Sequence, residues 1–236
     1  MDALFEIAGR FDTEGVEEAS QATQGSDAAV ILEREIEAAR SSRLQCDFQS
    51  AQKVAANTNR LNDENIWTPA ERAARAIRDA AGYPNGPLRN SALSDILGVS
   101  KSALQTVRAA PAEALPYGLR LHEANRHVVA LRARRSQSRR FELARALGDV
   151  IWSTGSSLGP LTGTKTDRQR FQRNFAQSLL CPIDEILGFL GNAKIDEEAI
   201  ESAAEYYHVN NSLIVRTLQK KHVISSESFD HMVEAA

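Results

Sequence analysis

The segment HEANRH, His122 to His127, gathers two imidazoles and a carboxylate within six residues. Such side chains ligate zinc when a helix sets two histidines at i and i+4, which puts both rings on one face. Here the histidines are five apart. On a helix they diverge by more than a quarter turn, and along one strand they point to opposite faces. His122, Glu123 and His127 therefore stand only as remote metal candidates, and no metal or other cofactor is expected. No glycine-rich phosphate loop, dinucleotide fingerprint or nucleophile elbow occurs in the sequence, and STGSSLG lacks the lysine and flanking strand of a phosphate loop. Cys46 and Cys181 have no paired spacing, which points to a reducing, cytosolic setting. Cys181, before Pro182 in an apolar frame, reads as packing rather than as a reactive thiol.

A second stretch, RRFELARALGDVIW (139–152), has an apolar frame with a loaded centre. With RNFAQSLLCP (173–182) downstream, it resembles the ImmA/IrrE family of bacterial metallopeptidase-like proteins. That family carries Arg-Phe-x-x-Ala-His-Glu-Leu-Gly-His, a loop, and then Glu-Ala-Asn-x-Phe-Ala-x-x-Leu-Leu-Met-Pro. Arg140, Phe141, Ala144, Leu147 and Gly148 match the first frame. Phe175, Ala176, Leu179, Leu180 and Pro182 match the second. TPAERAARAIRDAAGYPNGPL (68–88) is similar to the family's opening helix and turn, so the likeness spans roughly residues 66–225. It implies a zincin-like core. The departures fall on the chemistry. Arg145 and Asp149 stand where the histidines would, Ala146 replaces the general-base glutamate, and Phe171 falls near the downstream glutamate ligand. Arginine has no lone pair for a metal, and alanine moves no proton. Arg145 and Asp149, one helical turn apart, are expected to pair with each other where the metal would sit. No catalytic residue is therefore assigned. The resemblance implies a regulatory or scaffold protein acting through a protein partner, with a transcriptional repressor as the partner class.

Two further segments share a helix-turn-helix grammar. In AIESAAEYYHVNNSLIVRTLQKK, Ala204, Val209 and Ile214 take the places of the small residue, the turn hydrophobe and the anchor of the second helix. Asn211, Ser212 and Arg216 would then face a DNA groove. In SALSDILGVSKSALQTVRAA, the frame is Ser94, Gly98, Val99 and Leu104, with Lys101, Ser102 and Arg108 outward. The family often has such a tail, chiefly for packing, at the place of the first of these. Glu197, Glu198, Glu201 and Glu205 on the preceding helix would repel phosphate. DNA-binding regulation is thus the alternative function, and a peptidase with a relocated site is a distant third.

The elements that must position these residues follow from periodicity and punctuation. The chain has 236 residues and a net charge of −3, enough for one sizeable core or two small ones and without a global attraction to nucleic acid. No apolar run approaches the roughly 18 residues of a membrane span, so no membrane partner is expected. The N-terminal MDALFEIAGRFDTEGVEE has acids where a secretory signal would have lysines. The first third is acidic (Glu14, Glu17, Glu18, Glu33, Glu35, Glu37). The middle is arginine-rich, and Arg126, Arg132, Arg134, Arg135, Arg139 and Arg140 read as an interaction surface onto which the acidic helices could dock.

Residues 1–25 show weak periodicity and end in a linker-like SQATQGSD. One long or two shorter helices follow to about residue 63. A helix from TPAERAARAIRDAAG has Thr68 as N-cap, Pro69 at N1, Glu71 closing a capping box and Gly82 as stop. YPNGP is a turn, and two short helices flank Gly98. LRLHEAN and RHVVALRARR read as a hairpin. SRRFELARALGDVIW is a helix, STGSSLGPLTGTKT a loop, and DRQRFQRNFAQSLLCPIDEILGFLG a helix restarted at Pro182. A last helix pair closes the chain. The predicted fold is mainly α with a small β-sheet (α+β): a helical extension at 1–65, a zincin-like core at 66–190 and helix-turn-helix-like helices at 191–236.

Overall fold

In the computed structural model, residues 2–23, 27–42, 44–56, 66–101, 104, 117–153, 155–191 and 194–234 are described. They form a mainly helical α+β fold on one antiparallel sheet. Its strands are β1 (Gln45–Cys46), β2 (Gly118–Glu123), β3 (Arg126–Ala130) and β4 (Leu158–Leu161), in the order β1-β3-β2-β4. The expected hairpin is present. Ala124 and Asn125 both take positive φ at its turn, the conformation that matches the twist of a tight hairpin. Leu119 pairs with Ala130, Leu121 with Val128 and His122 with His127.

β4 lies within the stretch expected to be a loop, and its Gly-Pro pair hid it. It is an edge strand, where a proline's missing N–H is tolerated. β1 was also missed. It has two residues and interrupts the expected helical run, which becomes α3 (Ala28–Arg40) and α4 (Gln49–Ala56). Neither a two-residue strand nor a Gly-Pro strand has a period to read.

Both faces of the sheet are covered. On one face lie α1 (Asp2–Arg10), α2 (Thr13–Ala22) and α3. Ile7, Val16, Leu32 and Ile36 pack there against Leu119, Leu121 and Ala130. Residues 2–22 thus hold two helices where the sequence shows only weak periodicity. α2 runs into SQATQGSD as far as Ala22, and residues 24–26 of that stretch lie outside the described residues. Asp12 caps α2 by accepting from Gly15 N at 2.7 Å, and also accepts from Leu158 N at 2.9 Å. One carboxylate thereby ties the N-terminal layer to the sheet edge.

On the other face pack α4, α5 (Trp67–Ala80), α6 (Asn90–Leu97), α7 (Ser136–Trp152) and α8 (Asp167–Leu180). The apolar frame residues of the two family-like segments meet between α7 and α8. Ala144, Leu147, Phe175, Ala176, Leu179 and Leu180 are all fully buried. A side chain on Gly148 would press Phe175 at 3.0–3.2 Å, so glycine lets the two helices approach. α5 starts two residues earlier than expected. Ile66 is its N-cap and makes no side-chain cap bond, so Thr68 lies inside the helix and the capping box is not formed. Gly82, at φ +78°, does end it. Pro182 separates α8 from α9 (Ile183–Leu190), and α10 (Glu197–Tyr207), α11 (Asn211–Lys220) and α12 (Asp230–Glu234) follow. No described helix is long and apolar enough to cross a membrane.

Candidate functional site

Around Asp149, one of the two positions that the resemblance aligns with metal-binding histidines, the structure holds a buried charge cluster. Asp149, on the fourth turn of α7, is 0 % exposed. Arg120, from the middle of β2, donates through Nε to Asp149 Oδ2 at 2.9 Å. Arg168, from the first turn of α8, donates through Nε to Oδ1 at 2.7 Å, and Gln172 Nε2 reaches the same oxygen at 2.7 Å. Burial alone would raise the Asp149 carboxyl. Arg120 and Arg168 outweigh it and hold the group below its ordinary value. Arg120 also bonds the Ser156 carbonyl at 3.0 Å and Arg168 the Leu158 carbonyl at 2.8 Å, while Arg168 Nη1 is left without a hydrogen bond. Gly159 crosses the cluster so closely that a Cβ there would collide with Asp149 Oδ2 and Arg120 Nε.

The expected Arg145–Asp149 pair is not formed. Arg145 points instead to the Thr162 carbonyl at 2.7 Å and to Gln169 Oε1 at 2.6 Å. The i, i+4 rule puts two residues on one face but cannot say what else reaches them. Here two arginines from other elements arrive first. Burial pushes Arg145 down to about 10, so it stays charged at neutral pH. Ala146 is fully buried, and Phe171 packs beside Trp152 and Phe175 with ring centroids 5.3 and 6.3 Å away.

Arg120, Arg168, Gln169 and Gln172 were not singled out in the sequence. Arg120 lies in the alternation Leu119-Arg120-Leu121, which on a half-exposed sheet would aim it at solvent. The second helical layer turns that face into a core. Arg168 and Gln172 lie one helical turn apart, and Gln169 adjoins Arg168. The polar run at 167–170 that opens α8 is the signal that could have found the three residues on that helix.

The hairpin changes the reading of HEANRH. Five apart along one strand would separate the histidines. The turn at 124–125 folds them into a cross-strand pair, stacked with ring centroids 4.4 Å apart. Glu123 points to the opposite face, where Arg40 of α3 grips it at 2.6 Å. The three candidates are therefore divided by the sheet, and no group of three or more His, Cys, Asp or Glu among the described residues could hold a metal. His127 is pushed down to about 3 by burial, then by Arg120 and His122. Its Nδ1 lies 3.4 Å from Arg120 Nη1. Beside the pair opens a polar cleft of about 540 Å³, lined among others by Asp47, Asn125, Arg126, Ser153 and Ser156.

The six arginines read as an interaction surface are not all exposed. Arg126, Arg132, Arg134 and Arg135 are exposed. Arg140 is not: its guanidinium is 5 % exposed and bonds Asn90 Oδ1 and the Leu88 carbonyl. Arg139 is half-buried and bonds the Arg134 carbonyl at 2.7 Å. Once α7 forms, its inward face takes whichever arginines fall on it. The acidic helices do not simply dock on this stripe. Glu14 lies 3.8 Å from Arg168 instead, and Glu35 is fully buried with neither oxygen hydrogen-bonded.

In the terminal pair, Ala204, Val209 and Ile214 are all buried, as the helix-turn-helix grammar requires. Arg216 is exposed, and Asn211 and Ser212 are half-exposed. Glu197, Glu198, Glu201 and Glu205 are exposed on α10. Lys101 is exposed after α6, whereas Ser102 and Arg108 lie outside the described residues. No protein-family model, curated protein or solved structure matches the chain.

Proposed function

We propose that this chain is a non-catalytic protein of the ImmA/IrrE-like type, acting as a regulatory or scaffold protein through contacts with a protein partner. A transcriptional repressor is the partner class the resemblance implies. The observation that carries the reading is the Arg120–Asp149–Arg168 cluster. The one carboxylate at the family's metal position has both oxygens committed to arginine, and two guanidinium charges repel any cation placed there. The general-base position is an alanine in the core.

Two measurements test it. Protein purified without chelators or a histidine tag is analysed for metal, and stoichiometric zinc overturns the reading. Partner capture is then compared between wild type and Arg132→Glu/Arg134→Glu/Arg135→Glu, which leaves buried Arg140 alone. Loss of the same partner in the variant is expected, and unchanged capture refutes the surface. DNA binding through the terminal helices is the competing reading. Salt-sensitive duplex binding that Arg216→Ala abolishes would favour it.

A further inference from the structure

Between the start of α5, α7, α8 and α11 runs a groove of about 320 Å³. Trp67, Phe141, Val209 and Leu213 give it an apolar lining, and Arg173 and Arg216 give it charge, whereas burial pushes Lys220 down to about 7. Among the described residues no carboxylate lines it. Lys220 places Nζ 3.0 Å from the centroid of the Trp67 ring and donates to Asn174 Oδ1 at 2.8 Å. That bond fixes the Asn174 amide. Its Nδ2 is left with no acceptor, although Asn174 lines the groove and is only 4 % exposed. A buried donor in that state is costly unless something accepts from it.

The other donors point the same way. Arg173 is held by the Thr162 and Thr164 carbonyls at 3.4 and 2.8 Å. Arg216 has no hydrogen-bond or ion-pair partner among the described residues. After burial, Arg170 and then Arg216 depress Arg173, with Glu18 opposing them: cationic neighbours outnumber the acidic one here. Asn210 makes no side-chain cap at α11, because its amide goes to Ser138 Oγ at 3.0 Å. The first-turn N–H groups of Asn211 and Ser212 therefore remain donors, at the end of the helix that favours an anion.

We propose that this groove binds a carboxylate carried on an apolar body. The aliphatic or aromatic part lies among Trp67, Phe141 and Leu213, and the carboxylate meets Arg216 and the α11 first turn. A volume at the lower end of the range for ligand pockets suits one side-chain-sized body. A predominantly apolar lining with one unengaged guanidinium suits a monoanion rather than a phosphate dianion. A small free carboxylic acid and the C-terminal residue of a polypeptide share this chemistry. The proposal is independent of whether the protein is catalytic.

The test uses the full chain as Trp152→Phe, so that Trp67 is the reporting indole, with circular dichroism to confirm the fold of each variant. The probes are 3-phenylpropanoate, its amide, the peptide N-acetyl-Ala-Ala-Phe with a free carboxylate, and inorganic phosphate. A saturable change in Trp67 emission with the acids is expected, weakened at least tenfold in the amide and in Arg216→Ala but not in Lys101→Ala. Tighter binding of the peptide assigns the site to a polypeptide terminus, and tighter binding of phenylpropanoate to a small molecule. No response, equal binding of acid and amide, or displacement of the acid by phosphate or a short DNA duplex at matched concentration overturns the proposal.

Discussion

Replacing Asp149 by alanine should be among the most damaging single changes available to this protein. The carboxylate is fully buried and is the shared partner of two arginines that are themselves almost fully buried. Truncation strands both charges in a low-dielectric interior. Removing one partner of a buried ion pair typically costs about 3–5 kcal/mol, and two stranded cations place Asp149→Ala toward the upper end of that range. For a chain of this length each kcal/mol moves the melting temperature by roughly 2–4 °C. The expected drop is therefore on the order of 10–20 °C, out of a total stability of about 5–15 kcal/mol. The control is Arg120→Met/Asp149→Leu/Arg168→Met, which removes all the charges and keeps volume. It should recover most of the loss, because a packed apolar replacement of a buried ion network is often neutral or better. The pH dependence has a defined sign. The Asp149 pKa is depressed in the fold, so its stabilisation is present above the unfolded value of about 3.9 and is lost as pH falls through the lower folded value. Chemical denaturation followed by circular dichroism reads the wild type and both variants. A loss below about 1 kcal/mol in Asp149→Ala, or a triple variant as damaged as the single one, would refute the reasoning.

Gly159→Ala should destabilise by at least ~2 kcal/mol, since the added methyl collides with the Asp149–Arg120 bond; a melting curve matching wild type would sink the claim that the strand lies directly over the cluster. Glu35 runs the other way in pH. Burial raises its pKa to about 8, with the neighbouring Tyr117 hydroxyl opposing. Stability should therefore be greatest below about pH 4 as far as this group is concerned, fall as pH rises toward 8, and flatten in Glu35→Gln. A wild type and a Glu35→Gln variant with the same pH profile between 5 and 9 would contradict the assignment. His127, pushed down to about 3, should show no imidazole titration by NMR between pH 5 and 8. A midpoint near 6.5 would mean that the His122–His127 pair is open to water.

The long elements were legible because they are periodic. The hairpin, α7, the restart at Pro182 and the last helix pair follow from apolar spacing and from Gly and Pro positions. What escaped notice depends on partners distant in sequence. Arg120 looks like a solvent-facing residue until a second helical layer covers its face of the sheet. Asp149 looks like a partner for Arg145 until β2 and α8 deliver stronger ones. His122 and His127 look divergent until two positive-φ residues fold the strand back. Helix α7 itself was visible, but which of its arginines point inward was not, so Arg140 was placed on the surface while it anchors the loop before α6. In each case local spacing was read correctly and tertiary contact decided the outcome.

The order in which the strands leave the ribosome has its own consequence. β1 lies at residues 45–46, yet its neighbour β3 is made some eighty residues later, and β2 cannot be flanked on both sides until residue 161 is in place. The helices α1–α3 are complete long before the surface that covers their apolar side exists. At about 5–20 residues per second of synthesis, Val16, Leu32 and Ile36 stay uncovered for several seconds on the growing chain. Nascent-chain aggregation should thus be set by the first forty residues, and a holdase that engages this early amphipathic segment would be released when the hairpin and β4 appear.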